Sequence, residues 1–252
     1  MKILPLALAQ FIASYAATNM NVAISTIADD LGTTITGVQT TITLFTLVMA
    51  ALMVPGSKLT DRWGRRRCFV LGLAIYGAGA LLAALAPGPG LLLVGYALLE
   101  GVGSALMIPP IYILVTALAA DPTVRAKGFG AVSGAGGLGA AAGPLLGGLI
   151  TSTFSWRASF LLQVLVVAVI IVLARNLPRT SGERKGFDLP GAFLSGAGLF
   201  LLVLGVLRTN VNGWQLTTWL LIGAGASVLT VFAIHIRRVE NPLCDPKLFG
   251  DR

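Results

Sequence analysis

The sequence predicts an all-α membrane protein, and three observations lead to this fold class: the composition, the long segments without charge and the positions of the basic residues. Of the 252 residues, 56% are hydrophobic and 11% are charged, and the mean hydropathy is +0.86. A soluble domain carries roughly 25% charged residues, so most of this surface cannot face water. The composition makes the lipid bilayer a partner and excludes a secreted disulfide scaffold, a disordered tail and a nucleic-acid-binding domain.

Eight membrane spans are predicted from the uncharged segments, because about 20 apolar residues in a helix cross a hydrocarbon core of about 30 Å. Charged residues, prolines and glycines separate the spans. An even number of spans places both termini on the same side of the membrane. The predicted spans are Ile3–Ala28, Val38–Ser57, Cys68–Ala86, Leu91–Ala119, Gly128–Thr153, Ala158–Ala174, Pro190–Leu207 and Trp214–Ile236.

The hydrophilic segment between the sixth and seventh spans is the predicted internal boundary. It divides the chain into a six-helix bundle (1–175), a cytoplasmic linker (176–189), two extra transmembrane helices (190–237) and a cytoplasmic tail (238–252). Each boundary falls where the sequence changes from an apolar run to Pro, Gly and charged residues.

The basic residues predict the orientation. With a cytoplasmic N-terminus, all 18 Lys and Arg residues except Arg157 and Arg208 fall on the cytoplasmic side. This bias is the positive-inside pattern of membrane proteins. We therefore expect a multi-pass protein of the cell (plasma or inner) membrane with both termini in the cytoplasm.

The loop predicted after the second span combines glycines, a carboxylate and arginines in a fixed order. Gly56 lets a neighbouring helix approach closely, Asp61 places a carboxylate at a helix end, and Gly64 allows a tight turn. A simple positive-inside anchor would explain the basic residues but not their ordered spacing with Gly and Asp. The arginines beside the turn are Arg62, Arg65 and Arg66.

The fifth span carries a smooth face of glycines. Gly139, Gly143 and Gly147 recur every four residues, and Gly148 follows directly. Pro144 lies among them, removes a backbone donor and favours a kink. Tight packing of two membrane helices is a purely structural interpretation of the same residues.

Glu100 is the one formally charged side chain well inside a predicted span. An ionised carboxylate at that depth costs at least a few kcal/mol, so Glu100 must be protonated, paired or exposed to a water-filled cavity. Tyr96 and Ser104 lie four residues to either side and share its helix face. These residues predict a proton or substrate pathway, and the alternative is a protonated glutamate that bonds a neighbouring helix.

Other polar side chains in the spans are weaker candidates. Gln163 lines a cavity or bonds two helices together, whereas His235 is expected to extend to the membrane interface. Trp156 and Arg157 fit interface anchoring. The spans contain no metal-ligand cluster, Ser-His-Asp set or paired carboxylates, so we predict neither an enzyme nor a metal site.

Two of these motifs resemble signatures of the major facilitator superfamily. The segment 56–67 resembles its Gly-x-x-x-Asp-Arg-x-Gly-Arg-Arg signature, a cytoplasmic latch in which Asp61 and Arg65 match the residues that pair across helices in the outward-facing state. The segment 139–148 is similar to the Gly-Pro-x-x-Gly-Gly antiporter signature of exporters. The resemblance implies a six-helix major-facilitator-type N-terminal bundle plus two additional transmembrane helices, as in the fourteen-helix drug:proton antiporter branch.

The first span is similar to the Asp-x-Thr-x-x-Asn-Val-Ala-Leu-Pro segment of that branch. Thr18 and Asn21 match it, whereas Ala16 stands at the Asp position and Ser25 at the Pro position. Thr18, Asn19 and Asn21 are therefore predicted to line the pathway, without the usual carboxylate.

The fourth span resembles the family's Arg-x-x-Gln-Gly-x-Gly-x-Ala run, with Ala97 at the Arg position and Glu100 at the Gln position. A carboxylate that the family pattern lacks therefore stands in this span. The usual arginine is absent, and Glu100 is the candidate proton carrier.

The resemblance implies an exporter of small amphipathic compounds or drugs that works by proton antiport with alternating access and needs no cofactor beyond a proton gradient. Residues 241–249 are similar to the segment that leads into a second bundle. The expected partners are a small amphipathic substrate and a missing C-terminal bundle, supplied by a longer chain, a second copy or a separate chain; no nucleic acid is expected. The alternative is a non-transporting membrane binding or regulatory module that retains half of the fold.

Overall fold

The computed structural model describes residues 3–119, 121–178, 182, 186–212, 214–239 and 243, without the side chains of 209–212. Regular structure in these residues is helical throughout. The predicted tail, 238–252, and the middle of the predicted linker lie mostly outside the described residues. The α-helices are α1 (Leu4–Asn19), α2 (Ile24–Asp30), α3 (Ile35–Trp63), α4 (Arg65–Ala84), α5 (Pro89–Leu92), α6 (Gly101–Leu118), α7 (Pro122–Thr153), α8 (Trp156–Ala174), α9 (Leu189–Asn212) and α10 (Leu216–His235).

Seven helical segments of the described chain are long and apolar enough to cross a membrane. They correspond to the second through eighth predicted spans, with the fourth formed by α5, a π-helix and α6 in continuous succession. The chain is therefore a multi-pass membrane protein. The seven segments are Ile35–Trp63, Arg65–Ala84, Pro89–Leu118, Pro122–Thr153, Trp156–Ala174, Leu189–Arg208 and Leu216–His235.

The first predicted span, Ile3–Ala28, is not one continuous helix, and that expectation is wrong. Helix α1 ends at Asn19, a single 3₁₀ turn follows over Met20–Val22, and α2 begins only at Ile24. The interruption falls on a segment with two asparagines, whose side chains compete with the helical backbone for hydrogen bonds.

The predicted loop after the second span is also shorter than expected. Helix α3 continues beyond the predicted end at Ser57 to Trp63, so Asp61 and Arg62 are helical rather than in a loop. The whole connection is Gly64, with φ of +92°, and α4 begins at Arg65. A side chain at residue 64 would be strained at this φ, so the glycine makes the turn possible.

Glycines also set the distance between α4 and the fourth span. A Cβ atom on Gly103 would lie 2.6 Å from the backbone nitrogen of Tyr76, and one on Gly95 would lie 2.7 Å from the backbone oxygen of Gly79. The two backbones are therefore in direct contact, as small residues allow in membrane helices. Helix α4 packs on its other side against α8, and α1 packs against α7 and α8.

The two extra helices form a hairpin that lies against α3. Asp188 precedes α9 and accepts a hydrogen bond from the Gly191 amide at 2.9 Å, and the Nε2 atom of His235 lies 2.9 Å from the same carboxylate oxygen. The His235 ring therefore joins the end of α10 to the start of α9, and its extension to the membrane interface stays a prediction.

A second polar contact joins three segments at the end of the bundle predicted to face outward. The guanidinium of Arg157 pairs with Asp30, donates to the Ala86 carbonyl at 2.9 Å and lies over the Trp156 ring at 4.3 Å. The Trp156 indole donates to Asp30 at 3.1 Å and is only 2% exposed. Trp156 is therefore a core residue, and the prediction of an interface anchor is wrong for it.

The Arg157→Ala variant should lower the melting temperature of the detergent-solubilised protein by about 2–4 °C, since the lost contacts are partly exposed and contribute roughly 1 kcal/mol. The hydrogen bond from Arg157 lowers the pKa of Asp30 in the folded protein. The pair therefore stabilises the fold at pH values above the pKa of an aspartate in the unfolded chain, and this stabilisation is lost as the pH falls through the lowered pKa. The difference between wild type and variant should shrink below about pH 4.

Arg208→Ala is the matched control, because Arg208 is an exposed arginine at the same predicted side of the membrane. It should leave the melting temperature within about 1 °C of wild type. Equal losses in both variants at every pH would contradict a specific role for the Arg157 contacts.

Candidate functional site

The fourth span turns Glu100, Tyr96 and Ser104 into the interior of the bundle, where all three have no exposed surface. The backbone is a π-helix over Leu93–Glu100 and an α-helix from Gly101 onward. π-Helical turns are rare and occur frequently at functional sites. The shared face that the sequence predicts for these residues is therefore present, although the helix around Glu100 is wider than the α-helix assumed.

Buried polar side chains of α1, α4 and α8 lie in the same bundle interior as Glu100. The Tyr76 hydroxyl of α4 lies beside the Glu100 carboxyl group and donates to the Gln163 Oε1 atom of α8 at 2.5 Å. The hydroxyls of Tyr15 in α1 and Ser159 in α8 are 2.5 Å apart. We refer to these side chains, each at most 1% exposed, as the polar cluster: Tyr15, Tyr76, Tyr96, Glu100, Ser104, Ser159 and Gln163.

Several polar atoms of the cluster have no hydrogen-bond partner among the described residues. They are both carboxyl oxygens of Glu100, the Ser104 hydroxyl and the Gln163 Nε2 atom. Each buried polar atom left unpaired costs about 1–3 kcal/mol, and an ionised carboxylate costs more. No Lys, Arg or His in the described part of the chain compensates the Glu100 carboxyl group. Of the three situations predicted for Glu100, neither a pair with a cation nor an exposed carboxyl group is present within the described residues.

Thr18 and Asn19 lie elsewhere, on the face of α1 that meets α7. The Thr18 hydroxyl donates to the Ala140 carbonyl at 3.1 Å, and the buried Asn19 side chain faces Gly147. Asn21 is exposed and donates to the Ala17 carbonyl at 3.5 Å. The structure thus separates the predicted pathway residues of the first span from the polar cluster.

Tyr96 connects the cluster to α1. Its hydroxyl donates to the backbone carbonyl of Ala16 at 3.4 Å, and its ring stacks on Phe45 with centroids 4.7 Å apart. Ala16, which stands where the resemblance implies an aspartate, is buried at this contact.

The glycines of α7 form the seam with α1. Gly139, Gly143 and Gly147 are buried, and a Cβ atom on Gly139 or Gly143 would overlap the Phe11 carbonyl oxygen or the Thr18 hydroxyl, respectively. Gly148 faces open space, and Pro144 is exposed within a helix that continues to Thr153. The glycines recur every four residues because each lies where α7 packs closely against α1. A kink at Pro144 stays a prediction.

The predicted latch residues lie at the junction of α3 and α4. Gly56 is pressed against the backbone of Ala105 in α6, whereas Asp61 and Arg62 are exposed near the end of α3. Arg65 and Arg66 open α4 and are half-buried. A pairing of Asp61 with Arg65 stays a prediction.

The sequence did not single out Tyr15, Tyr76 or Ser159, and it ranked Gln163 as a weak candidate. Tyrosine and serine are ordinary residues in apolar helices, so their side chains gave no signal of a shared site. The usable signal was the i, i+4 spacing around Glu100, which located the fourth-span part of the cluster but not its partners on other helices.

The fold and the buried polar site define a multi-pass helical membrane protein with a six-helix bundle and two further helices. The sequence matches the Major Facilitator Superfamily over residues 6–240, and the chain belongs to this family. It is 35% identical to the puromycin resistance protein pur8 of Streptomyces alboniger, over 97% of this chain and 49% of that protein. It is 33% identical to the cephamycin export protein CmcT of Amycolatopsis lactamdurans, over 96% of this chain and 51% of that one.

Among solved structures, the fold is similar to that of a peptide transporter POT in complex with sulfate. The TM-score is 0.69 at 18% sequence identity, over 95% of this chain and 53% of that one. At this identity the likeness concerns the fold. The chain spans about half the length of the curated relatives it matches.

The Gly143→Val variant should lower the melting temperature of the detergent-solubilised protein by at least about 5 °C, because the added side chain forces α7 away from Thr18. Gly137→Val is the matched control, since residue 137 lies on the same helix and a Cβ atom there meets nothing within 4 Å. Thermal unfolding followed by fluorescence separates the two. Equal destabilisation by both variants would contradict the seam.

Proposed function

We propose that this chain is one half of a membrane exporter that expels small amphipathic compounds in exchange for protons. The observation that carries the proposal is the buried carboxyl group of Glu100, enclosed without a compensating charge among the described residues in a bundle of this family. The printed names of two relatives, puromycin resistance and cephamycin export, support small antibiotic-type substrates. A proton gradient supplies the energy, and the protein acts in transport rather than catalysis.

Alternating access requires two bundles that rock about a central site, and the described residues supply one. The second bundle comes from the rest of a longer chain, from a second copy or from a separate partner. The chain alone is therefore expected not to transport. The basic residues favour the cell membrane with both termini in the cytoplasm.

Glu100 carries the proton in this proposal. Inside the closed bundle its carboxyl group stays neutral, because no described cation compensates an ionised form. Loss of the proton requires water to reach the carboxyl group, which couples proton release to an opening of the bundle. Tyr96 and Ser104 line the same buried face and belong to this pathway.

The other predicted site residues serve the conformational change. At the α1–α7 seam, Gly139, Gly143 and Gly147 carry no side chains that would stop α7 from sliding along α1. Thr18 and Asn19 are the α1 residues that face this seam. Asp61 and Arg65, at the α3–α4 turn, form the cytoplasmic latch together with the neighbouring latch residues. These roles follow from the family resemblance and the observed positions.

The test is proton-driven efflux from proteoliposomes that hold the chain with a second bundle, for example the corresponding half of the puromycin resistance relative. An imposed pH gradient should drive efflux of an amphipathic dye, and a protonophore should abolish it. Glu100→Gln should lose this pH-driven component about tenfold or more, because the amide cannot release a proton. The chain without a second bundle should stay at background.

Asp29→Asn is the matched control, since Asp29 is an exposed carboxylate at the end of α2. It should retain pH-driven efflux. Undiminished pH-driven efflux in Glu100→Gln would overturn the role of Glu100. A stable two-bundle complex that moves no substrate would instead favour a regulatory module. That alternative is supported by the alanines at positions 16 and 97, where the family resemblance places Asp and Arg.

A further inference from the structure

The Tyr76 hydroxyl stands between two acceptors and has one proton to donate. It donates to Gln163 Oε1 at 2.5 Å. The buried Glu100 side chain lies on the same contact between α4 and the fourth span, where Gly79 packs against the Glu100 backbone nitrogen and Gly103 packs against Tyr76, and its carboxyl oxygens have no hydrogen-bond partner by distance and angle among the described residues. Burial of all three side chains keeps bulk water from satisfying either acceptor. The hydroxyl must therefore serve one acceptor at a time.

The protonation of Glu100 decides which acceptor is stronger. A neutral carboxyl group competes weakly with the amide oxygen of Gln163, which agrees with the observed bond. A carboxylate is a charge-assisted acceptor, and such hydrogen bonds are roughly twice as strong as neutral ones. Ionisation of Glu100 would therefore draw the Tyr76 hydroxyl away from Gln163.

We propose that Tyr76 and Gln163 are positioning residues that form a hydrogen-bond switch, in which the Tyr76 hydroxyl bonds Gln163 while Glu100 is protonated and bonds Glu100 once the proton has left. The proposal rests on the proposed role of Glu100 as proton carrier. No covalent bond changes apart from the O–H bond of Glu100, whose proton passes to water.

The switch connects three spans. Tyr76 belongs to α4, Glu100 to the fourth span and Gln163 to α8. Because the backbones of α4 and the fourth span are in contact at Gly79 and Gly103, these two helices move together. Release of Gln163 therefore loosens the contact of α8 with α4 and the fourth span. Loss of the proton from Glu100 thus changes how the sixth span packs.

The other groups that face Glu100 do not offer a competing explanation. Tyr96, on the same span, donates to the Ala16 carbonyl, and Tyr15 of α1 is bonded to Ser159 of α8. Phe45 of α3 stacks on the Tyr96 ring and carries no polar atom. Within the described residues, no side chain of opposite charge interacts with Glu100 from α1, α3, α4 or α8.

The experiment measures the protonation of Glu100 directly, in the 252-residue chain in lipid nanodiscs. An apolar carbodiimide adds to a protonated carboxyl group and rearranges to a stable N-acylurea, so mass spectrometry of the Glu100 peptide reports the neutral form. Labelling is followed as a function of pH. Since it requires no transport, its outcome is distinguishable from failure of the proposed function.

Two single variants should move the pH of half-labelling in opposite directions. Tyr76→Phe removes the donor that stabilises the carboxylate, so the midpoint should rise by about one pH unit. Gln163→Leu removes the competing acceptor and frees the hydroxyl for Glu100, so the midpoint should fall. In the Tyr76→Phe background, Gln163→Leu should have no further effect, because it acts through the hydroxyl.

Glu100→Gln must abolish the labelled peptide, which identifies the reacting group. Retention of the monodisperse elution volume in detergent establishes that each variant is folded. If Tyr76→Phe fails to fold, Gln163→Leu is compared with Val167→Ala, which loosens the packing of α8 on α4 but leaves the Tyr76–Gln163 hydrogen bond in place. Only Gln163→Leu should lower the midpoint, whereas equal shifts in both variants would mean that water entry alone accounts for the effect. Midpoints that stay unchanged, that move in the same direction, or that add independently in the double variant would each overturn the switch.

Discussion

The close contact between α4 and the fourth span is the constraint on which the site depends. Membrane helices gain little from burying apolar surface, so they associate where small residues let their backbones meet. Gly79 and Gly95, together with Gly103 opposite Tyr76, create such a seam. The seam brings the Tyr76 hydroxyl beside the Glu100 carboxyl group, and without it the carboxyl group would face lipid or a wider cavity. The close packing of the two backbones thus determines which side chains of α4 lie next to those of the fourth span.

The same type of contact on the other side of the bundle has a different result. Gly139 and Gly143 bring α7 against α1, and there the opposing side chains, Thr18 and Asn19, are neutral. The Thr18 hydroxyl donates a hydrogen bond to the Ala140 carbonyl across the seam. One seam therefore encloses an ionisable group, whereas the other holds neutral hydrogen bonds.

Much of the architecture follows from the sequence because it depends on local composition. The apolar segments correspond to seven of the eight predicted spans, and the basic segments mark the connections between them. The break after Asn19 and the continuation of α3 beyond Ser57 to Trp63 were missed, because both depend on how one helix end meets its neighbours. Glu100 was found from its charge alone. Tyr76 was missed and Gln163 was only a weak candidate, since a contact between residues 87 positions apart has no local signal.

Under the proposed function, Glu100 of the fourth span takes the role that the family resemblance gives to a carboxylate at position 16. Ala16 is buried, and its carbonyl accepts the Tyr96 hydroxyl, so the first-span position of the family aspartate borders the polar cluster. Glu100 lies one helical turn beyond Tyr96 on the same face. Under the proposed function, the carboxyl group of Glu100 is the proton site, at a place where the first and fourth spans meet through the hydrogen bond from Tyr96 to Ala16.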